Sequence, residues 1–307
     1  MKTLSTAREL DSGGRKTCLA IGFFDGVHLG HQQIIRQTVA DARQRDAVAL
    51  VVTFDHHPNT VVAPHRIPPL IYSLPQRLRA IEAIGADALL LIHFDRAFSE
   101  QPGEAFMRAL AADLGGIRRI CVGANFAFGY KRSGNVDLLR RLGAELHFGV
   151  HGMASVSLGG RVVSSTRIRE AIRAGDLDLA SQMIGRDYSL AGKVIAGDRV
   201  GRQLGYPTAN LEVAGLALPP NGVYAARATV GGATHRAAVN IGFRPTLRHT
   251  DPQLHVEAHL LDFDGDLYGE EMELTFAEKL RDEQKFASSD ELKVQIAKDV
   301  AQARSRL

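Results

Sequence analysis

The stretch IGFFDGVHLGHQQII, residues 21–35, predicts the end of a strand, a tight loop and the start of a helix. The apolar run Cys18–Phe24 ends in a Gly/Asp turn, and a helical pattern begins at about Gln32. A helix N-terminus beside glycines offers unpaired N–H groups and the positive end of the helix dipole to an anion. We therefore predict a phosphate-binding site at this loop.

Two histidines in the loop, His28 and His31, stand three positions apart. Imidazoles so placed can meet one phosphate and supply charge, hydrogen-bond donors or protons. A loop with two surface histidines is the alternative, and the glycines with the preceding strand favour the phosphate site. The candidate binding residues of the loop itself are Gly22, Phe24, Asp25, Gly26 and Gly30.

The composition indicates two globular domains. The 307 residues are about twice the ~150 of one domain, and 45% apolar residues suffice for two cores. No apolar run approaches the ~20 residues that cross a bilayer, and the N-terminus lacks a secretory signal. A net charge of +3 gives little support to nucleic-acid or membrane binding. We expect a cytoplasmic protein whose Cys18 and Cys121 are buried thiols.

Short apolar runs alternate with helical patterns over residues 1–185, which form the first predicted domain. This alternation predicts a Rossmann-like α/β fold, a parallel sheet with ligands at the carboxyl ends of its strands. Gly85, Gly115 and Gly143 stand where C-terminal helix caps are expected. The predicted strands after the first are Ala47–Phe54, Ala88–Phe94, Ile117–Val122 and Glu145–Val150. The predicted helices are Gln32–Arg45, Pro75–Ile84, Gly103–Leu114, Val136–Leu142, Thr166–Ala174 and Asp178–Ile184.

Residues 186–307, the second predicted domain, carry short alternating segments separated by Gly, Pro and Asn. This pattern predicts a small antiparallel β-barrel. A last helix is predicted over Ser289–Arg304. The predicted strands are Leu190–Ile195, Val223–Val230, Thr234–Asn240, His255–Leu260 and Glu271–Phe276.

Three further segments place polar residues at strand ends or helix starts of the first domain: VVTFDHHP (51–58), CVGANFAFGYKRSGN (121–135) and VVSSTRIRE (162–170). The serines of the last segment can be helix caps alone, but arginines beyond the cap favour a second phosphate clamp. In the middle segment, Phe126 and Phe128 are as consistent with loop packing as with stacking on a ring.

Two phosphate-binding elements in one α/β unit suit a nucleoside triphosphate. The patterns GxxxxGK[ST] and GxGxxG are both absent. This favours nucleotidyl transfer at the α-phosphate over γ-phosphate hydrolysis or dinucleotide reduction. In such a transfer, positioning, Mg²⁺ and positive charge supply most of the catalysis.

The second domain begins with a glycine-rich stretch, GKVIAGDRVGRQLGYPTANL (192–211). Such glycines let a backbone approach phosphates closely, although hairpin turns are the alternative. The Thr208 hydroxyl and the Asn210 amide oxygen are hard ligands that suit Mg²⁺.

In HVEAHLL (255–261), Glu257 is a candidate general base on the polar face of a strand, where a solvated carboxylate is the alternative. The spacing of His255, Glu257 and His259 also permits a metal site, which nothing else in the chain supports. DFDGDLYG (262–269) is predicted to be a hairpin turn rather than a calcium loop, because its glycine stands at the fourth position.

Taken in order, these segments resemble the prokaryotic bifunctional riboflavin kinase/FAD synthetase family over nearly the whole chain. The N-terminal signature is similar to GFFDGVHLGH, TFDHHP, VGANFAFG and SSTRIR here. The kinase signature is similar to GRQLGYPTANL, NGVYA, NIGFRPT, VEAHLLDFDGDLYG and LRDEQKF.

The resemblance implies that the first domain is an adenylyltransferase, in which FMN phosphate attacks the α-phosphate of ATP to give FAD and pyrophosphate. His28 and His31 would contact the phosphates, and Asn125 the nucleotide or flavin. The pyrophosphate end would be held by Ser164, Ser165, Thr166 and Arg169.

The same resemblance implies that the second domain is a riboflavin kinase. Thr208 and Asn210 would bind Mg·ATP, and Glu257 would activate the 5′-hydroxyl of riboflavin. The partners of the whole chain would be small molecules only: riboflavin, FMN and ATP. Further ATP- or flavin-binding residues would be Gly197, Gly201, Arg202, Gly205, Pro207, Asn240 and Arg244.

Two other interpretations stay open at this point. In the first, only the kinase is active, and the first domain is silent or uses another nucleotide substrate. This interpretation rests on Asn125, where many family members carry Asp. Alternatively, the chain is a flavin-binding regulatory protein without catalysis. Glu257, Thr208 and Asn210 argue against that last interpretation, because binding alone needs neither a base nor Mg²⁺ ligands.

Overall fold

The computed structural model describes residues 1–197, 200–244 and 253–307. These residues form two compact units. The first contains Met1–Pro68 and Leu74–Ser165, and the second contains Pro69–Ser73 and Thr166–Leu307. Within the described part of the chain, no helix has the length and apolar character that crossing a membrane requires.

The first unit is built on a six-stranded sheet in which every pairing is parallel. Two of its central strands, Thr17–Ile21 and Val48–Phe54, are short runs of buried and mostly apolar residues, as expected for a sheet covered on both faces. In chain order the strands are β1 (Lys2–Leu4), β2 (Thr17–Ile21), β3 (Val48–Phe54), β4 (Ala88–Ile92), β5 (Ile117–Gly123), β6 (Ala127–Phe128), β7 (Gly134–Asn135), β8 (Gly149–Met153), β9 (Ser157–Leu158) and β10 (Arg161–Val162).

The sheet order is β1-β4-β3-β2-β5-β8, and β6–β7 and β9–β10 form two separate pairs. The predicted parallel α/β fold is therefore confirmed. The helices of this unit are α1 (Leu29–Gln44), α2 (Asn59–Val62), α3 (Leu74–Glu82), α4 (Arg96–Ser99), α5 (Gly103–Asp113) and α6 (Val136–Leu146).

One predicted strand, Glu145–Val150, is wrong at its start. Helix α6 continues through Leu146, and His147 ends it in the left-handed conformation with φ 60°. The predicted cap Gly143 lies inside that helix, where a Cβ would come within 2.4 Å of the Phe148 carbonyl oxygen. A glycine required by close packing was thus mistaken for a cap.

The described part of the second unit contains a closed six-stranded barrel and four helices, so the predicted barrel is confirmed. Its helices are α7 (Ser165–Ala174, which begins in the first unit), α8 (Leu177–Ile184), α9 (Val200–Gln203) and α10 (Ser289–Arg306). Its strands are β11 (Ser189–Ile195), β12 (Ala209–Leu211), β13 (Gly222–Val230), β14 (Ala233–Arg244), β15 (Gln253–Leu260) and β16 (Glu271–Arg281).

The barrel order is β11-β12-β15-β14-β13-β16, closed by pairing of β11 with β16. The strands β15 and β16 are therefore not neighbours, and residues 262–269 form a crossing loop instead of the predicted hairpin turn. Gly192 lies within β11, inside the predicted strand Leu190–Ile195, and a Cβ there would come within 2.4 Å of the Glu212 carbonyl oxygen.

Both cysteines are buried free thiols, as predicted. Burial raises the pKa of Cys18 to about 11. Burial also raises the pKa of Cys121 to about 12. Both side chains are therefore protonated at neutral pH and behave as small core residues.

Candidate active sites

The loop after β2 brings the chain into α1 through a tight turn. Phe24 and Gly26 have φ values of 55° and 75°, and glycine is the residue that adopts the second without strain. Helix α1 begins at Leu29, earlier than the predicted Gln32, because His28 caps it. The His28 Nδ1 atom accepts a hydrogen bond from the His31 N–H at 3.4 Å.

The imidazoles of His28 and His31 stack, with ring centroids 3.6 Å apart and 19° between their planes. Desolvation lowers the pKa of His31 well below its usual range, and the neighbouring His28 lowers it further. Its ring is therefore neutral at pH 7, with a buried Nδ1 atom that makes no hydrogen bond within the protein. The two imidazoles lie side by side, as their three-residue spacing allows, and their contact with one phosphate stays a prediction.

A buried arginine, Arg77 of α3, holds this loop against the next strand end. Its guanidinium donates to the Phe23 carbonyl at 3.1 Å and to the Phe54 carbonyl, and its Cζ lies 4.3 Å from the centroid of the Phe23 ring. Burial lowers the pKa of Arg77 to about 10, although Asp25 and Asp55 act to raise it. No sequence pattern marks this residue, because its partners are backbone carbonyls more than twenty positions away.

The SSTR segment touches the same loop. The Ser165 hydroxyl donates to the Asp25 carbonyl at 3.1 Å, which brings together two elements predicted from sequence to bind phosphate. Thr166 and Arg169 belong to the second compact unit, where the Arg169 Nε donates to the Pro69 carbonyl at 2.7 Å. Part of the Arg169 guanidinium therefore has a structural partner.

An apolar cavity of about 630 Å³ lies at the carboxyl ends of β2, β3 and β4. Gly22 and Phe23 line one side of it, and Phe126 stacks on Phe128 at 5.2 Å and 18° on another. Asn125 is exposed in the same loop and lines an adjoining cavity that shares Phe126. Phe126 and Phe128 thus line a cavity and also pack on each other.

In the second unit, three predicted glycines shape the approach to β12. A Cβ on Gly197 would lie 2.2 Å from the Asn210 Nδ2 atom, and one on Gly201 would lie 2.4 Å from the Tyr206 carbonyl oxygen. Gly205 has φ 88°. The Pro207 carbonyl is 2.8 Å from the His259 Nδ1 atom, so this segment is held against β15.

Glu257 occupies the centre of a polar row across the barrel. It pairs in register with Asn210 of β12 on one side and Asn240 of β14 on the other, so the three side chains share one face. Its neighbours Val256 and Ala258 are buried, which confirms the predicted alternation. The Thr208 hydroxyl donates to a Glu257 carboxylate oxygen at 3.5 Å.

Two cavities flank Thr208, and within the described residues it is the only one that lines both. One, of about 420 Å³, is lined by Arg202, Pro207 and the crossing loop Phe263–Tyr268. The other, of about 350 Å³, contains Glu257 together with side chains from α10. Thr208 therefore lies on the wall that the two cavities share.

Some of the predicted site residues lie wholly or partly outside the part of the chain that the structure describes. Arg244 ends β14, but its side chain is not described, and Pro245 and Thr246 of the same motif lie outside the described residues. His255, Glu257 and His259 do not gather as metal ligands within residues 1–197, 200–244 and 253–307.

Comparison with known proteins accounts for both units. The FAD synthetase family matches residues 11–167, and the riboflavin kinase family matches residues 184–307. The chain belongs to the bifunctional riboflavin kinase/FMN adenylyltransferase family. A member from Pseudomonas fluorescens is 37% identical over 94% of this chain and 92% of its own length. A member from Escherichia coli K12 is 35% identical over 99% of this chain and 97% of its own length.

A solved structure described as a macrolide-efflux protein from Streptococcus pneumoniae also matches, with a TM-score of 0.81 and 27% identity. The match covers 98% of each chain. Membership of the bifunctional family means that the protein phosphorylates riboflavin to FMN with ATP, then adenylylates FMN to FAD and releases pyrophosphate. It favours the two-step enzyme over both alternative interpretations. Enzymes of this kind use ATP and typically Mg²⁺.

Proposed function

We propose that the two activities reside in separate places, with FMN adenylylation in residues 1–185 and riboflavin phosphorylation in residues 186–307. The observation that supports this division best is the junction at Thr208. There, a candidate base, two amide side chains and two cavities meet within one barrel. The stacked histidines and their aromatic cavity lie within the first unit.

In the proposed kinase site, the nucleotide occupies the cavity beside the crossing loop and riboflavin the cavity beside α10. Glu257 accepts the proton of the riboflavin 5′-hydroxyl as that oxygen attacks the γ-phosphorus of ATP and ADP leaves. The neighbouring Asn210 and Asn240 place the carboxylate in a polar row across the barrel.

Thr208 and Asn210 fit a Mg²⁺ ion, because a hydroxyl and an amide oxygen are hard ligands. The Asn210 side chain has room at this place because residue 197 is a glycine, whose missing Cβ would lie 2.2 Å from the Asn210 Nδ2 atom. The ion would neutralise phosphate charge. Thr208 additionally fixes the carboxylate of Glu257 by its hydrogen bond. Nucleotide contacts are proposed for Arg202 and Pro207, which line the first cavity, and a flavin contact for Gly201, which lines the second. Gly205, in the turn between them, remains a proposed ATP- or flavin-binding residue.

In the proposed adenylyltransferase site, the FMN phosphate oxygen attacks the α-phosphorus of ATP and the bond to pyrophosphate breaks. His28 and His31 donate to phosphate oxygens at the start of α1, where the helix dipole also favours negative charge. Ser164 and Ser165 contact the pyrophosphate end, and the roles that the family resemblance implies for Thr166 and Arg169 stay predictions. We assign the flavin ring to the aromatic cavity, with Asn125 at its edge.

Two variants of the full chain test this assignment. Glu257→Gln should stop FMN formation from riboflavin while FAD formation from supplied FMN continues. His28→Ala combined with His31→Ala should give the opposite result. Products are separated by chromatography after incubation with ATP and Mg²⁺. Loss of both activities in either folded variant would show that the sites are not separate.

The partners proposed for the enzyme are riboflavin, FMN and ATP, and the proposed location is the cytoplasm, where ATP is supplied. Fractionation of cells, with both activities measured in each fraction, tests the location.

A further inference from the structure

An aspartate and two histidines that the proposed reactions do not use lie together at one edge of the parallel sheet. Asp55 and His56 directly follow β3, and His93 directly follows β4. These strands are parallel neighbours, with Phe54 opposite Ile92 in register. The carboxyl ends of the two strands therefore bring the three side chains to one place.

The carboxylate of Asp55 lies between the two imidazoles. Its Oδ1 atom is 2.8 Å from the His56 Nδ1 atom, and its Oδ2 atom contacts the His93 Nδ1 atom. The backbone N–H groups of Phe94 and His56 donate to Oδ1 at 3.0 and 2.8 Å, so the carboxylate is held in position. The Asp55 side chain is 18% exposed, whereas those of His56 and His93 are 56% and 70% exposed, so an ion from solvent reaches them directly.

The three potential ligand atoms all lie within 4.8 Å of one another. Zinc bonds to imidazole nitrogen and carboxylate oxygen are about 2.0–2.2 Å long, so small rotations of two exposed rings complete three such bonds. Two imidazoles with one carboxylate form a donor set that zinc enzymes use, with water in the fourth position. Magnesium prefers oxygen ligands, which this cluster does not supply in number.

The described residues contain one other cluster of this kind, Asp41, Cys121 and His151, and it is less suitable. There, the Arg119 guanidinium lies 3.4 Å from the Asp41 carboxylate and 2.8 Å from the His151 Nε2 atom. A fixed positive charge thus already occupies the place of the ion.

We propose that Asp55, His56 and His93 form a binding site for a divalent transition-metal ion of the zinc class, separate from the Mg²⁺ used in phosphate transfer. Bound metal joins the ends of β3 and β4. Phe54 and Phe94, which flank the cluster in sequence, both line the aromatic cavity, so the ion lies at its margin.

The test uses the metal-free full chain, prepared with a chelator, and zinc chloride without nucleotide or flavin. Zinc binding is measured by calorimetric titration, and thermal unfolding is recorded with and without zinc. We compare the natural chain with His56→Ala combined with His93→Ala. The matched control is His65→Ala, an exposed histidine outside the cluster.

The natural chain and the control should bind one more zinc equivalent than the double variant. Their unfolding temperatures should also rise with zinc, because a ligand that binds only the folded state stabilises it. Equal zinc binding by all three proteins would refute the site. The single variant His93→Ala provides a second measurement, with zinc affinity expected to fall at least about tenfold; unchanged affinity would refute it equally.

Discussion

At the scale of single residues, the pKa of His31 makes stability depend on pH. Its folded-state pKa lies below the unfolded value, so the unfolded chain takes up a proton that the folded chain refuses as pH falls. The contribution of His31 is therefore fully present above about pH 6.5 and is lost below it, by up to ~1 kcal/mol per pH unit.

We therefore expect His31→Gln to lose less stability than the natural chain between pH 7.5 and pH 5.5, as measured by thermal unfolding. His65→Gln, which replaces an exposed histidine, is the control and should retain the full dependence. An identical pH dependence in His31→Gln would contradict the burial argument.

Arg77 is a second residue whose replacement has a defined cost. Arg77→Met removes the donors to the Phe23 and Phe54 carbonyls and should lower the free energy of unfolding by about 2–4 kcal/mol. FAD formation should fall because the loop after β2 loses its support, while FMN formation continues. Arg8→Met, which removes an exposed arginine whose ion pair with Asp113 lies at the surface, should lower the free energy of unfolding by less than about 1 kcal/mol and leave FAD formation unchanged.

At the scale of elements, the turn into α1 depends on a left-handed glycine. Gly26→Ala forces alanine to φ 75° at a cost of about 1–2 kcal/mol and should displace the N-terminus of α1. Gly14→Ala imposes similar strain at φ 78° in open space away from this loop. Both variants should unfold at lower temperature, but only Gly26→Ala should slow FAD formation.

Most elements could be predicted from local patterns, because alternation and helical spacing of apolar residues depend only on neighbours in sequence. The candidate sites at β2, β12 and β15 could be proposed for the same reason: their polar residues directly follow or interrupt such patterns. The order of the strands in the barrel cannot be predicted from such local patterns. The 262–269 loop was mistaken for a hairpin because nothing local states that β15 and β16 lie apart.

The features missed by sequence reasoning depend on tertiary contacts. Gly143 was mistaken for a cap because its reason, contact with the Phe148 carbonyl, is a packing effect. Strand β12 is three residues long, too short to show a period. Arg77 resembles any polar residue of an amphipathic helix until its backbone partners are known.

At the scale of the whole molecule, two sites imply two nucleotides per chain. A nonhydrolysable ATP analogue should bind at a stoichiometry of two in calorimetric titration with Mg²⁺. Thr208→Ala combined with Asn210→Ala should reduce this number to one and leave FAD formation from FMN intact. A stoichiometry of one in the natural chain would contradict the proposed division.

The position of Thr208, on the wall shared by two otherwise separate cavities, has a consequence for kinetics. In the proposed site each substrate occupies its own cavity, so both can be bound at once. Phosphate then passes directly between them, and initial-rate plots for one at fixed levels of the other should intersect; parallel plots, which indicate a phosphorylated enzyme intermediate, would contradict this arrangement.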